Sequence, residues 1–404
     1  MRRIPLQTWA AVAGLCLLWT ALGSVIAPSA RRHDFLNLYT GASLALDGNF
    51  AHMHSPAVQL ERERRFVPGL DALVPFVRPP FYALILAPLA LLPFGPAFWV
   101  WIGLQSALLF GCWAWAFRRW GPDALIFGAL YLPTALGIVS GQDCVLMLVI
   151  AIATYAFAEK GNPWASGAAL GLGLIKFHLF LLWPLAILIQ RRWRMLFGAL
   201  AAVAAELLLS LWLAGTGGLL EYYRLLRNKD IQLLNISPDL MINVHGLALN
   251  FGSDSPWFRG LLVAIVVVLV SAACWRAPLW RWIAAASAGS LLVPPHVYGY
   301  DAALLLLSLW LAIFVCVDKS TRFAATLLCT PIPFLMNLAP HPWPAATPLA
   351  LLLFLVTLNR KGDSQNPPKD EPRNLASCGI SSPGGSGDRL DQLAPREEAY
   401  DHGR

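Results

Sequence analysis

The stretch PWASGAALGLGLIKFHLFLLWPLAILIQ, residues 163–190, carries one lysine, Lys176, and one histidine, His178, in an otherwise apolar run. A membrane-crossing helix needs about 20 apolar residues, so this run is long for one span, and its charge lies near its middle. An ammonium group in that position is unfavourable unless it meets a partner or water. The stretch therefore predicts either two short spans that meet at Lys176 or one long helix.

The whole chain has the composition of an integral membrane protein. Of its 404 residues, 57% are hydrophobic and 13% are charged, and 17 are tryptophan, more than a soluble fold would usually bury. The net charge of +7 comes mostly from loops that set membrane orientation, so it does not indicate nucleic acid binding. The seven cysteines form no CxxC pair, so neither a disulfide framework nor a zinc site is indicated.

Apolar runs that qualify as spans recur along the chain. The first has no convincing cleavage site after it, so we interpret it as a retained anchor, with a cleaved signal peptide as the alternative. The runs lie at about 8–28, 97–117, 123–139, 143–158, 163–190, 194–214, 257–275, 281–294, 301–317, 322–338 and 344–358.

Basic residues in the short loops set the orientation of these spans. The preferred topology splits 163–190 at Lys176, treats 79–93 as an interfacial or re-entrant helix, and has twelve spans with both termini inside. The rival topology also has twelve spans, but counts 79–93 as a span and 163–190 as one helix, and puts Arg118 and Arg119 outside. In the preferred topology the cytoplasmic basic residues are Arg2, Arg3, Arg118, Arg119, Lys160, Arg191, Arg192, Arg194, Arg276, Arg281, Lys319, Arg322, Arg360 and Lys361.

The chain divides into a membrane domain and a tail. The membrane domain is predicted over residues 1–358, with outer-face loops at about 29–96 and 215–256. The second loop holds an amphipathic stretch typical of an interfacial helix. Residues 359–404 are rich in Pro, Gly, Ser and mixed charge, which predicts a disordered cytoplasmic tail. The fold class is an all-α polytopic membrane protein with interfacial helices in its outer loops.

Asp34 is the first candidate for catalysis. It follows the first span and precedes FLNLYTGASLAL, in which apolar residues recur at helical spacing. That pattern predicts a helix on the membrane surface with Asp34 at or near its N-cap. Capping alone would explain the carboxylate. A carboxylate held at the membrane edge can also take a proton from a hydroxyl, as a general base does.

Lys176 and His178 are candidates for holding a phosphate. Lys176 is the one lysine deep in an apolar stretch, where it either reaches the interface or holds a lipid-linked phosphate as a compact point charge. His178 could add a hydrogen bond, although a lone histidine is more often structural. Arg78 lies on the same predicted face and is the third phosphate-binding candidate.

Two turns supply the remaining candidates. In PPHVYGYD, residues 294–301, His296 follows two prolines and is a candidate for catalysis or phosphate contact, while Tyr300 and Asp301 are candidates for sugar or acceptor binding. Asp301 could instead cap the next helix, and the tyrosine could belong to the interfacial aromatic belt. In SGQDC, residues 140–144, Gln142 could bind a sugar hydroxyl, and Asp143 could bind the acceptor or cap a helix.

Six segments in order carry a family resemblance. They are DFLNLYTGASLALDGN, RPPFYALILAPLALLP, SGQD, GAALGLGLIKFHLFLLWPLAILIQRRW, NISPDLMINVHGL and HVYGYDAALLL. Over roughly residues 5–358 the chain resembles glycosyltransferase family 87, the bacterial mannosyltransferases that depend on polyprenol-phosphate-mannose and have the GT-C membrane fold. Two positions depart from the family pattern: Phe177 follows Lys176 where proline is usual, and Asp143 follows the Gly-Gln pair.

The resemblance implies a transferase of the bacterial cytoplasmic membrane that works on its outer face. Its partners would be a polyprenyl monophosphate sugar donor, a lipid or glycan acceptor and membrane lipids, with no nucleic acid. Asp34 would correspond to the family's catalytic aspartate and His296 to its histidine ahead of a late span. The mannose assignment rests on this analogy alone.

The residues themselves are consistent with such a reaction. Attack of a hydroxyl on an anomeric carbon requires a base and a stabilised leaving phosphate, which Asp34 and Lys176, with Arg78 or His296, could supply. There is no DxD pair near the outer loops, so we expect no metal and no cofactor. One carboxylate and one direct displacement predict inversion at the anomeric carbon.

Two other classes compete with this interpretation. A transporter or flippase for lipid-linked sugars would also use buried charge, but typically shows inverted repeats and charges at the midplane. A polymerase or ligase for lipid-linked glycans would be expected to place its functional residues in a large outer loop, and the loop 215–256 is only moderate in size.

Overall fold

The computed structural model describes residues 5–228 and 238–360. Arg2, Arg3 and the predicted tail from residue 361 onward lie outside the described residues. Within them the secondary structure is helical and contains no strand, which confirms the all-α fold class. The α-helices are α1 (Leu6–Leu46), α2 (Pro56–Phe66), α3 (Pro80–Leu86), α4 (Phe94–Trp120), α5 (Asp123–Leu130), α6 (Leu132–Val139), α7 (Cys144–Glu159), α8 (Pro163–Gly171), α9 (Trp183–Ile189), α10 (Trp193–Arg227), α11 (Val244–Asn250), α12 (Pro256–Cys274), α13 (Leu279–Leu292), α14 (Leu306–Phe314), α15 (Lys319–Cys329), α16 (Ile332–Leu335) and α17 (Ala346–Thr357).

Three of these helices, α4, α10 and α12, are long and apolar enough to cross a membrane on their own. A fourth span results if the bent pair 163–180 and 183–189 crosses as one unit. The described residues therefore have the character of a membrane protein. The count of twelve spans stays a prediction.

The stretch 163–190 is broken, as the preferred topology predicts. Helix α8 passes into a 3₁₀ helix, Leu172–Phe180, inside which Lys176 has non-helical backbone angles (φ −137°, ψ 58°). A second break follows a few residues later, because the helix direction bends by 111° between 163–180 and 183–189. One long helix over 163–190, which the rival topology requires, is therefore wrong.

Glycines hold the first half of this broken stretch against α10. A Cβ atom on Gly167 would lie 2.0 Å from the Met195 carbonyl oxygen, and one on Gly198 would lie 2.5 Å from the Trp164 carbonyl oxygen. Small residues let membrane helices approach this closely. These close contacts hold α8 against α10, directly before the 3₁₀ helix that carries Lys176.

The first helix differs from the prediction. The chain runs as one helix from Leu6 to Leu46, 41 residues, or about 60 Å at 1.5 Å per residue. A separate surface helix starting near Asp34 is therefore wrong, and Asp34 is not an N-cap. The predicted boundary fails because Pro28 alone does not end the helix and the residues after it, Ala30, Arg31 and Arg32, are good helix formers.

Other segments agree with the sequence in part. The stretch 79–93 forms the seven-residue α3 and a five-residue 3₁₀ helix, Ala87–Leu91, which is too short for a span. The predicted span 123–139 is two helices, with Tyr131 (φ −74°, ψ 94°) between them. The amphipathic stretch after Gly215 is helical up to Arg227, and the non-helical backbone of Gly215 (φ +66°, ψ 178°) kinks α10 where this stretch begins.

The core lies around α13 and α14. From Trp282 to Leu292 each residue of α13 is buried, and from Leu306 to Ile313 each residue of α14 is buried. Helices that are buried on every side lie at the centre of a bundle. The 3₁₀ helix Gly299–Leu305 leads into α14, so the turn that carries Tyr300 and Asp301 is anchored on the most buried part of the molecule.

Candidate functional site

Five segments distant in sequence converge on one cluster of charges. Asp34 comes from α1, Arg78 from the segment before α3, and Asp143 from the turn between α6 and α7. Lys176 comes from the break in 163–190, and Asp301 from the start of the 3₁₀ helix before α14. The structure therefore brings together residues that the sequence placed on one predicted face.

Arg78, Asp143, Lys176 and Asp301 form a continuous chain of ion pairs. Arg78 Nε and Nη2 donate to the two oxygens of Asp143 at 2.9 and 3.1 Å. Lys176 Nζ lies 3.5 Å from Asp143 Oδ1 and 2.5 Å from Asp301 Oδ1. All four side chains are at most 9% exposed. Buried charges are tolerated when they are paired in this way.

Lys176 is enclosed by protein, because it is 4% exposed. Besides the two aspartates, its ammonium group lies 3.5 Å from Cys144 Sγ and 5.5 Å from the centre of the Tyr300 ring. Of these contacts, those to Asp301 Oδ1 and Cys144 Sγ are hydrogen bonds, while Asp143 and the Tyr300 ring lie at longer range. The depth of Lys176 in the membrane stays a prediction.

Arg78 keeps one nitrogen available. Its Nε and Nη2 atoms are engaged by Asp143 in a bidentate pair, the geometry for which a guanidinium is suited. No described residue accepts a hydrogen bond from Nη1. Arg78 can therefore contact an additional anion without giving up Asp143.

The two aspartates differ in whether their side chains cap the helix that begins beside them. Asp143 is at the N-cap position of α7, but its side chain makes no capping hydrogen bond and is directed at Arg78. Asp301 Oδ2 accepts from the backbone N–H of Tyr298 at 3.0 Å, so Asp301 does cap its helix while its other oxygen binds Lys176.

Asp34 is linked to this cluster through the turn at 140–143. Its Oδ1 atom accepts from Gln142 Nε2 at 2.8 Å, and Gln142 precedes Asp143 in the chain. Burial, followed by the charges of Asp239, Asp301 and Asp34, raises the pKa of Tyr298 to about 12. Asp34 and the segment 298–301 therefore lie within electrostatic range of each other.

A glycine in the turn allows this approach. Gly141 has φ +72°, and a Cβ atom there would lie 2.8 Å from Phe35 Cβ, next to Asp34. The Gly141 carbonyl oxygen accepts from Trp101 Nε1 at 2.9 Å. The glycine of SGQD is thus required both by its backbone conformation and by the distance to α1.

We expect Gly141→Ala to destabilise the protein by about 2–5 kcal/mol, since a left-handed alanine costs roughly 1–2 kcal/mol and overpacking adds roughly 1–3 kcal/mol. The matched control is Gly48→Ala, because Gly48 has the same φ of +72° but open space around its Cβ position. Chemical denaturation in detergent measures both variants. Equal losses for the two would show that the Phe35 contact contributes nothing.

The three histidines near the cluster are placed differently. His296 is exposed and makes an edge contact with the Tyr298 ring, with centres 5.0 Å apart. Loss of contact with water on the side of the ring that faces the protein lowers the pKa of His296. The charge of Asp301 raises it, and the charges of Lys176 and Arg78 lower it further. His178 Nε2 is buried and has no hydrogen bond to a described residue. His54, which the sequence did not single out, donates from Nε2 to the Arg78 carbonyl oxygen at 2.9 Å if that nitrogen carries the proton.

Helix α2 holds the segment that ends at Arg78. Gln59 accepts from the Phe76 N–H at 2.8 Å, and one turn later Glu63 Oε2 accepts from the Val74 N–H at 3.0 Å. Together with His54 these side chains bind alternate residues of an extended segment, Val74, Phe76 and Arg78. Sequence reasoning missed them. The spacing of Gln59 and Glu63 on one helix face was the available signal, but nothing in the sequence shows which segment they bind.

Glu63 makes the stability of this arrangement depend on pH. Burial raises the pKa of Glu63 to about 8, although the hydrogen bond from Val74 lowers it in part. The folded protein therefore keeps a proton that the unfolded chain loses above its ordinary pKa of about 4.5, so stability falls as pH rises from about 4.5 to 8.

We expect Glu63→Gln to remove this loss, because glutamine keeps the acceptor for Val74 and does not ionise. The free energy of unfolding, measured from pH 5 to 8 in detergent, should fall less for the variant, leaving it ~1–3 kcal/mol more stable than the native protein at pH 8. Glu61→Gln, an exposed neighbour paired with Arg65, should behave like the native protein. Parallel pH curves for native protein and Glu63→Gln would contradict the prediction.

The cluster can perform acid–base chemistry but shows no cluster of metal ligands. Two cations, Arg78 and Lys176, balance Asp143 and Asp301, and Asp34 adds one negative charge beside them. Among the side chains that the structure describes, no group of three or more His, Cys, Asp or Glu is close enough to hold a metal ion. The arrangement provides a held carboxylate next to fixed hydrogen-bond donors.

Comparison with known proteins gives one result. The model of glycosyltransferase family 87 matches residues 76–295, more than half of the chain, and this range contains Arg78, Gln142, Asp143 and Lys176. No curated protein and no solved structure matches the chain. The chain therefore belongs to glycosyltransferase family 87 and is a membrane glycosyltransferase.

Proposed function

We propose that this chain transfers a hexose, mannose in the first instance, from a polyprenyl monophosphate donor to a lipid or glycan acceptor. The reaction takes place on the outer face of a bacterial cytoplasmic membrane. The chain has the GT-C fold with about twelve spans and both termini in the cytoplasm. Family membership supports the reaction class, and the resemblance described above supports the donor.

The observation that carries the proposal is the position of Asp34. This carboxylate lies in the middle of a continuous helix, so it is not needed as a cap. It is oriented by the Gln142 amide at 2.8 Å, and Gln142 directly precedes Asp143 of the ion-pair cluster. A carboxylate that helix geometry does not require, held by an amide at the edge of an ion-paired cluster, is arranged as a general base.

The reaction is a single displacement. The acceptor hydroxyl attacks the anomeric carbon while Asp34 takes its proton. The bond from that carbon to the phosphate oxygen breaks, and its electron pair leaves with the polyprenyl phosphate. Because one nucleophile enters opposite one leaving group, the anomeric configuration inverts.

The departing phosphate needs donors that act as its charge develops. Arg78 is the first of these, because its Nη1 atom is available while Asp143 holds the rest of the guanidinium in place. Lys176 reaches the phosphate by exchanging Asp143, the more distant of its two carboxylate partners at 3.5 Å. His296, at the exposed edge of the cluster, and His178 complete the donor set. Side chains thus neutralise the phosphate, and we propose that no metal is required.

The sugar and acceptor lie on the side of Gln142 and Tyr300. Gln142 binds a sugar hydroxyl through its amide, and Tyr300 packs its ring between that hydroxyl and Lys176. Asp143 and Asp301 act here through the cations that they hold, so their contribution to acceptor binding is to fix the positions of Arg78 and Lys176.

The test is transfer of labelled sugar in membranes that contain the overproduced protein. Polyprenyl phosphate mannose is the donor, polyprenyl phosphate glucose and a nucleotide-linked mannose are the comparisons, and extracted lipids and glycans are the acceptor pool. We expect transfer from polyprenyl phosphate mannose, unchanged by a chelator, and a product of inverted anomeric configuration by NMR. Retention of configuration would exclude the single displacement. Movement of the labelled lipid across the membrane without transfer would favour a flippase.

A further inference from the structure

A second group of charged residues lies in two turns that the proposed reaction does not use. It consists of the turn Gln190–Arg194, between α9 and α10, and the turn Trp275–Pro278, between α12 and α13. We call these two turns the arginine turns. One turn precedes α10 and the other follows α12. Both helices are long and apolar enough to cross a membrane, so the turns lie at a membrane boundary.

The two turns are tied together by hydrogen bonds. Gln190 Nε2 donates to the carbonyl oxygen of Cys274 and to that of Ala277, the latter at 3.2 Å. Arg192 lies with its guanidinium carbon 5.5 Å from the centre of the Trp282 ring on α13. The two turns, each of which carries arginine, are therefore held beside each other.

The backbone of both turns places arginine where glycine would be expected. Arg191 has φ 53° and Arg276 has φ 51°, and no other non-glycine residue of the described ranges has a positive φ. Both follow the end of a helix, the position at which glycine is the usual residue because it has no Cβ atom. Orientation of the chain by basic loops requires positive charge near these turns, but it does not require arginine at the two strained positions.

The arginines also lack acidic partners. Within the part of the chain that the structure describes, no carboxylate pairs with Arg191, Arg192, Arg194 or Arg276. Arg192 Nε is buried and has no hydrogen-bond acceptor among the described residues. A buried donor without an acceptor is unfavourable, so this group is suited to an anion that the protein chain does not provide.

Aromatic rings flank the arginines. Trp193 and Trp275 are 52% and 61% exposed, and the guanidinium carbon of Arg276 lies 5.8 Å from the centre of the Trp275 ring. Tryptophan at this level of a membrane protein lies among the lipid headgroups. Fixed guanidinium groups beside such rings match a phosphate that is attached to a lipid.

We propose that the arginine turns form a binding site for the phosphate headgroup of an anionic phospholipid. The site is separate from sugar transfer and does not depend on the donor or acceptor proposed above. Guanidinium groups suit the site because they can bind phosphate oxygens in pairs, and basic clusters between membrane helices are a known mode of anionic lipid recognition.

The test uses the full chain, delipidated in a neutral detergent. Short-chain phosphatidylglycerol is titrated, with phosphatidylcholine and inorganic phosphate as comparisons, and native mass spectrometry measures the dissociation constant. The variant is Arg191→Gly with Arg276→Gly, which removes two charges and relieves both positive-φ positions, so its folding should not be impaired. The control is Lys160→Gln with Lys319→Gln, which removes two exposed charges from turns that are predicted to lie on the same face.

We expect the glycine variant to bind phosphatidylglycerol about 25-fold more weakly than the native protein, since each basic group near an anionic lipid contributes roughly fivefold. Its melting temperature without lipid should be no lower than that of the native protein. The lysine control should bind phosphatidylglycerol as the native protein does. Three results would overturn the proposal: unchanged binding by the glycine variant, equal weakening in the lysine control, or inorganic phosphate that competes at the same concentration as the lipid.

Discussion

Replacing Asp34 by asparagine is expected to lower the rate of sugar transfer by about 10²–10⁴-fold, the usual contribution of a positioned general base. The amide has the size of the carboxylate and keeps an oxygen that can accept from Gln142 Nε2. It cannot take the proton of an acceptor hydroxyl. The loss should therefore appear in kcat, with little change in the KM for the donor.

The measurement needs a control for folding and one for charge. Asp71→Asn removes a negative charge from an exposed position in the segment before α3 and should leave transfer unchanged. Both variants should unfold at the same denaturant concentration as the native protein. If Asp34→Asn transfers sugar at the native rate, Asp34 is not the base, and His296 becomes the residue to test.

The Asp34 case shows what a local pattern could and could not predict. The sequence placed Asp34 beside a membrane span and identified it as a candidate base. It also indicated a helix start there, because an acidic residue before an apolar periodic stretch is the usual N-cap pattern. The chain instead forms one helix through that point. Helix continuity depends on propensities summed over many residues, which a single capping pattern does not report.

The charge cluster shows a different limit. Lys176 was identified from its burial in an apolar run, since that feature is visible in one short stretch. Its partners Asp143 and Asp301 are 33 and 125 residues away in the chain, and both resembled ordinary helix caps. Only the fold brings them within 3.5 Å. His54, Gln59 and Glu63 were not identified at all, because polar residues in a polar segment carry no signal until the segment that they bind is known.

The pairing also changes how the site is expected to bind its donor. Arg78 and Lys176 are each matched by a carboxylate, so the site without substrate is not positive. A phosphate that enters must either use an unoccupied donor, as at Arg78 Nη1, or replace a carboxylate, as at Lys176. Binding of the donor should therefore rearrange the 3.5 Å contact between Lys176 and Asp143 before it disturbs the 2.5 Å contact with Asp301.

Removal of Lys176 should have the second large effect, this time on stability. Lys176→Met leaves Asp301 buried without its main partner and weakens the balance around Asp143. Breaking a buried ion pair in this way typically costs about 3–5 kcal/mol. We expect a loss of that size in chemical denaturation, whereas Lys160→Met, at an exposed position, should change stability by less than about 0.5 kcal/mol.

A double variant distinguishes the two roles of Lys176. Lys176→Met with Asp301→Asn removes both charges of the close pair, and the asparagine oxygen can still accept from the Tyr298 N–H. Because neither charge is left unpaired, most of the lost stability should return. The site of this double variant would still lack one cation for the phosphate, so its KM for the donor should rise about 10- to 100-fold. A double variant as unstable as Lys176→Met would show that the ion pair is not the origin of the loss. A stable double variant with the native donor KM would restrict Lys176 to holding the cluster together and leave the phosphate to Arg78 and His296.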